Sequence, residues 1–141
     1  MALKVLPPLI EDYQLILSDS KYKNEGTPSM IKVRQATRGD EEARNRLLAM
    51  VEKNFKADGS VSYLSDVSFD DVEREEVFLT LAECNLANKD DGPLFRFKDN
   101  RIDMPRKEFT EAWCSLAYDI AAEISQCVKR CNVQWGLGGN A

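Results

Sequence analysis

The chain has 141 residues, enough to bury one sizeable core without metal or disulfide staples, and 43% apolar with 30% charged residues is the composition of a globular protein rather than a disordered or membrane one. A formal net charge of −5 argues against non-specific binding to DNA or RNA, which rests on clustered lysine and arginine, and leaves a protein as the expected kind of partner. No apolar run approaches the roughly 18 residues of a membrane span, and residues 1–10, interrupted by Pro7 and Pro8, are too short for a signal peptide; the expected location is the cytoplasm.

Residues 1–9 have no periodicity and read as an extended arm. Tyr13, Leu15 and Leu17 then alternate with Gln14 and Ile16, and Ile31 and Val33 alternate with Lys32 and Arg34. This period of two predicts a pair of short antiparallel strands, joined by a polar loop with Gly26 and Pro28 that is longer than most hairpin connections. Thr37 with Asp40 three residues on is a helix-capping pattern, and Ala43, Leu47, Met50 and Val51 mark the apolar face of a helix running to about residue 55. Ala57-Asp58-Gly59 is a turn signal, after which Val61 and Tyr63 predict a third short strand. Ser68 and Asp71 repeat the capping pattern and open a helix through Val72, Val77, Leu79, Leu81, Ala82 and Cys84, apolar on more than one side. The polar run 88–93 closes it, and residues 94–102, with Asp99-Asn100 at the centre, predict a small hairpin or extended loop.

The last quarter predicts two amphipathic helices in tandem. Pro105 suits a first helical position, and Phe109, Ala112, Trp113 and Leu116 recur at helical spacing, so Trp113 should pack beside Phe109. A second stripe comprises Ile120, Ile124, Cys127, Val128 and Cys131, with Asp119 and Glu123 early and Lys129 and Arg130 late, as the helix dipole favours. Trp135 and Gly136 end the pattern. The whole predicts an α+β domain over 1–135, predominantly helical, with three to four helices and a small N-terminal antiparallel sheet, followed by a flexible Gly-rich tail at 136–141.

Candidate chemistry is sparse. Histidine is absent, and no Walker loop, GxGxxG or GxSxG occurs. Acidic clusters at Asp40-Glu41-Glu42, Asp70-Asp71 and Glu75-Glu76 lie at helix starts or on early turns where acids are favoured electrostatically. The four cysteines, Cys84, Cys114, Cys127 and Cys131, have no zinc-site spacing and read as reduced thiols within helices. The expectation is a non-enzyme with no metal, no cofactor and no catalytic residue. Phe109 and Trp113 read as core, whereas Phe95, Phe97 and Trp135 are candidate partner-binding aromatics.

Three stretches, IKVRQATRGDEEAR (31–44), EVFLTLAECNLANKDDGPLFRF (76–97) and EFTEAWCSLAYDIAAEISQCVKRCNVQW (108–135), carry a resemblance. The chain resembles the tail assembly chaperones and related tail-associated proteins of long-tailed bacteriophages and prophages, in the Cys84-Asn85 pair, Leu94-Phe95-Arg96, and the closing Asn132 to Trp135 motif. Relatives often have Leu-Pro-Pro between the closing helices; here Leu116-Ala117-Tyr118 stands instead, so the break is softer or the helices merge. The resemblance implies binding to the tape measure protein, and to the major tail protein, in the host cytoplasm while the tail assembles, with self-association as another way to cover surplus apolar surface. Two further readings stay open. One is a virion component, a minor tail or head-to-tail joining protein; the other is an acidic inhibitor of a host or defence protein.

Overall fold

A computed structural model describes residues 5–54 and 66–138, with side chains up to Gly136. The predicted third strand at Val61 and Tyr63, the turn at Ala57-Asp58-Gly59, the start of the arm and the end of the tail lie outside the described residues. The elements in order are β1 (Ile10–Gln14), α1 (Ile16–Lys21), β2 (Met30–Arg34), α2 (Arg38–Glu52), α3 (Phe69–Thr80), β3 (Leu81–Cys84), β4 (Phe97–Lys98), β5 (Arg101–Ile102), α4 (Arg106–Cys114), α5 (Tyr118–Cys131) and α6 (Val133–Gly138). The α+β class and the small N-terminal antiparallel sheet are as expected. The helix number is not: six occur among the described residues, because α1 and α6 are short helices that periodicity over long windows does not detect.

The three strands lie in the order β1-β2-β3, all antiparallel. On one face Tyr13, Ile31, Val33 and Leu81 join the core with Ile124, Cys127, Val128 and Cys131 of α5. The opposite face exposes Asp12, Lys32 and Glu83. Strand β1 sits three residues earlier than the alternating pattern placed it, and the segment after Gln14 turns helical instead of continuing extended. Leu15, fully buried, is where the chain leaves the sheet.

The helix expected through Cys84 ends at Thr80, and Leu81–Cys84 is strand β3, entered with no loop. Leu81 adopts φ −64°, ψ 121°, and the Arg34 side chain donates to the Leu79 carbonyl, occupying one of the acceptors that a helix end leaves open. Pairing with β2 fixes this segment as a strand. Tertiary context here overrides a helical pattern.

The hairpin of β4 and β5 turns on Asp99 and Asn100, both in the left-handed region with φ 52° and 60°, which these two residue types tolerate better than most. Helices α4 and α5 are separate, broken over Ser115 to Ala117, so the closing pair does not merge. Pro105 is the cap residue just before α4 rather than its first turn. Trp113 is partly buried and stacks on Phe109, ring centroids 6.2 Å apart and 18° from parallel. Of the predicted tail, Gly136 to Gly138 belong to α6.

Candidate functional site

Helix α1 is the unusual element. None of its six residues is buried, and six residues are too few for a helix to hold itself together in water. It is held from outside. Both carboxylate oxygens of Glu123 on α5 accept from its first turn, from the Leu17 amide at 3.0 Å and the Ser18 amide at 2.9 Å. One turn earlier on the same face of α5, Asp119 accepts from the Tyr22 hydroxyl at 2.8 Å and pairs with Lys21 at the other end of α1. The two acids that dipole complementarity explained in the sequence thus act as a clamp on a helix 97 to 106 residues away. Asp19 in α1 anchors the following loop by accepting from the Ser29 hydroxyl and amide and from Asn24; the Ser29 and Asn24 bonds hold its carboxyl at about 2.

Clamped this way, α1 turns its apolar side chains outward: Ile16 is 62% and Leu17 69% exposed, and Tyr118, next in the chain to Asp119, is 89% exposed. Replacing Glu123 by alanine should cost about 1–2 kcal/mol, the cost of losing a helix cap, and should raise amide exchange selectively at Leu17 and Ser18. Global exchange rising equally everywhere would show that α1 is not separately held.

The aromatic candidates divide. Phe95 is 3% exposed and Trp135 1% exposed, so both are core residues that present no ring to a partner; Phe97 is half-buried. The structure brings Phe95 and Phe97 together, centroids 6.4 Å apart and nearly perpendicular, and sets Phe95 5.3 Å from Phe109. Trp135 lies elsewhere, beneath the Arg44 guanidinium at 5.9 Å from its ring. It is drawn in because Asn132 locks the end of α5: its side chain accepts from the Ala36 amide at 2.7 Å and donates to the carbonyls of Arg34 and Val128, with no exposure at all. Asn85 does the same for the other end of β2, accepting from the Met30 amide and donating to the Pro28 carbonyl. Asn85 and Asn132, both in the motifs quoted above, thus hold the fold.

A second group that periodicity missed is a set of buried charges. Helix α2 buries Asp40 and Arg44, while Met50, read as part of its apolar face, is 39% exposed. Arg34 meets Asp40 at 2.9 Å, Arg101 from the β4–β5 hairpin reaches the other oxygen at 3.2 Å, and Arg44 meets Glu76 at 2.9 Å. Each charge has its opposite, as burial requires, so these pairs join α2 to β2, α3 and the hairpin. Between α2, α3 and α4 runs a cavity of about 370 Å³ lined by Phe78 and Phe109, where Asp71 pairs with Arg74 and Glu75 with Arg106.

Burial pushes the Cys84 and Cys127 thiols up to about 11, which keeps both protonated and unreactive at neutral pH. Among the described residues no group of three or more cysteines and acids is arranged to hold a metal ion, and no helix is long and apolar enough to cross a membrane. No family model, curated protein or solved structure matches the chain.

Proposed function

We propose that this chain is a non-enzymatic bacteriophage tail assembly chaperone that binds the tape measure protein in the host cytoplasm. The observation that carries the reading is α1, a helix fixed to the protein by its polar contacts while Ile16 and Leu17 face solvent. Exposed apolar side chains held in place on a rigid support are what gripping a long amphipathic helix requires. The resemblance of residues 31–135 to tail-associated proteins names the helix. Paired buried charges and protonated thiols are in keeping with a binding role and no catalytic one.

Co-expression tests it. Tape measure protein should stay soluble only when this chain is present, and Ile16→Asp combined with Leu17→Asp should abolish that effect while leaving the melting temperature nearly unchanged, since surface substitutions of this kind shift stability by only about 0.5 kcal/mol. If the tape measure is equally soluble without the chain, and the chain is found in finished particles, the virion-component reading replaces this one. One observation favours that alternative: residues 5–9 form no regular structure and expose Val5, Leu6 and Leu9 at 98, 75 and 68%, the features of an arm that inserts into a neighbour.

A further inference from the structure

The pairing register of β1 shows which of its backbone groups are spent. The Gln35 amide donates to the Leu9 carbonyl and the Leu15 amide to the Ser29 carbonyl, so the odd-numbered residues from Leu9 to Leu15 face β2. Residues Ile10, Asp12 and Gln14 therefore point their amides and carbonyls away from β2, and among the described residues β1 has β2 as its one neighbour in the strand order. The strand pairs with β2 over five residues without a bulge, so its outer edge is regular over the same span. It is a template for one more strand.

Charge decides what kind of strand fits. Directly opposite residues on the exposed face are Asp12 with Lys32 and Lys32 with Glu83, a row of alternating sign in which Lys32 and Glu83 lie 3.6 Å apart. The next position in the row, beyond Asp12, calls for a base. A second copy of this chain would supply the opposite: a two-fold pairing that overlaps β1 fully sets Asp12 against Asp12, and like charges directly opposite destabilise a sheet.

We propose that β1 is a docking edge for an extended segment of another protein that carries a lysine or arginine opposite Asp12. The backbone groups of Ile10, Asp12 and Gln14 supply the hydrogen bonds, and Asp12 supplies selection for a basic strand over an acidic one and over self-pairing.

The probe is a pair of peptides, Val-Thr-Val-Lys-Val-Thr-Val and its glutamate counterpart, titrated into labelled protein by amide NMR. The lysine peptide should shift the amides of Ile10, Asp12 and Gln14 and protect them from exchange, and the glutamate peptide should bind at least tenfold more weakly. Asp12→Lys should reverse that preference. Asp12→Pro should remove binding, because proline deletes an outward amide, yet keep the fold, since an edge strand tolerates a residue without N–H on its solvent side. No shift at millimolar peptide, equal binding of both peptides, shifts centred away from β1, or a dimer through β1 seen by sedimentation would each overturn the proposal, and the Asp12→Lys reversal decides it should the proline variant fail to fold.

Discussion

Asp40→Asn should destabilise the protein by about 3–5 kcal/mol, the usual cost of leaving a buried charge without its partner. The variant strands Arg34, which is 4% exposed and whose remaining contacts are to the carbonyls of Gln35 and Leu79, and it weakens the cap that Asp40 provides to the Thr37 amide at 2.9 Å. Arg101→Ala, which removes the half-exposed partner of the same carboxylate, should cost no more than about 1 kcal/mol. Urea unfolding at neutral pH checks both; equal losses would mean that the three charges act as a surface network. The pH dependence carries a sign. Burial raises the pKa of Asp40, but the Thr37 amide and the Arg34 guanidinium outweigh it and hold the carboxyl below its ordinary range. A lowered folded pKa gives stability that is present above the unfolded value of about 3.9 and is lost as pH falls through the folded one. The gap between wild type and Asp40→Asn should therefore narrow below about pH 4. Glu76 runs the other way, since its burial raises its pKa despite Arg44, and comparing two chains that share Glu76 removes its contribution.

Trp135→Ala should cost about 3–5 kcal/mol, the range for emptying a buried Trp site. Trp135→Phe should recover most of that loss, because the indole N–H has no hydrogen-bond partner among the described residues and its removal strands nothing. A docking residue would behave otherwise: the alanine variant would keep its melting temperature and lose only its partner. Thermal unfolding of the two variants separates core from contact surface.

Much of the fold was legible because local chemistry and tertiary structure agree. Both capping boxes form, Thr37 with Asp40 and Ser68 with Asp71, and the α5 stripe of Ile124, Cys127 and Val128 is buried against the sheet. The hairpin at Asp99-Asn100 also follows from residue type. Where the reading departs from the structure, a long-range contact decides. Leu81–Cys84 is strand because β2 offers an edge, and 16–21 is helix because Glu123 caps it. Nothing in a window of ten residues carries either fact. The candidate site was less legible still. Trp135 reads as a partner-binding candidate because it follows a helix end, yet Asn132 folds that end inward, and no spacing marks Asp40 and Arg44 as buried because each partner lies on another element. Spacing reveals which residues share a face, but not which face a buried ion pair will claim.

The clamp on α1 also sets an order in time. Glu123, which accepts the amides of Leu17 and Ser18, leaves the ribosome 106 and 105 positions after them. At roughly 5–20 residues per second, synthesis separates the two by about 5–20 s. A six-residue helix does not persist alone over that interval. The apolar pole bearing Ile16 and Leu17 is therefore assembled only after α5 has emerged, and a chain that stops short of α5 does not present it in its final geometry.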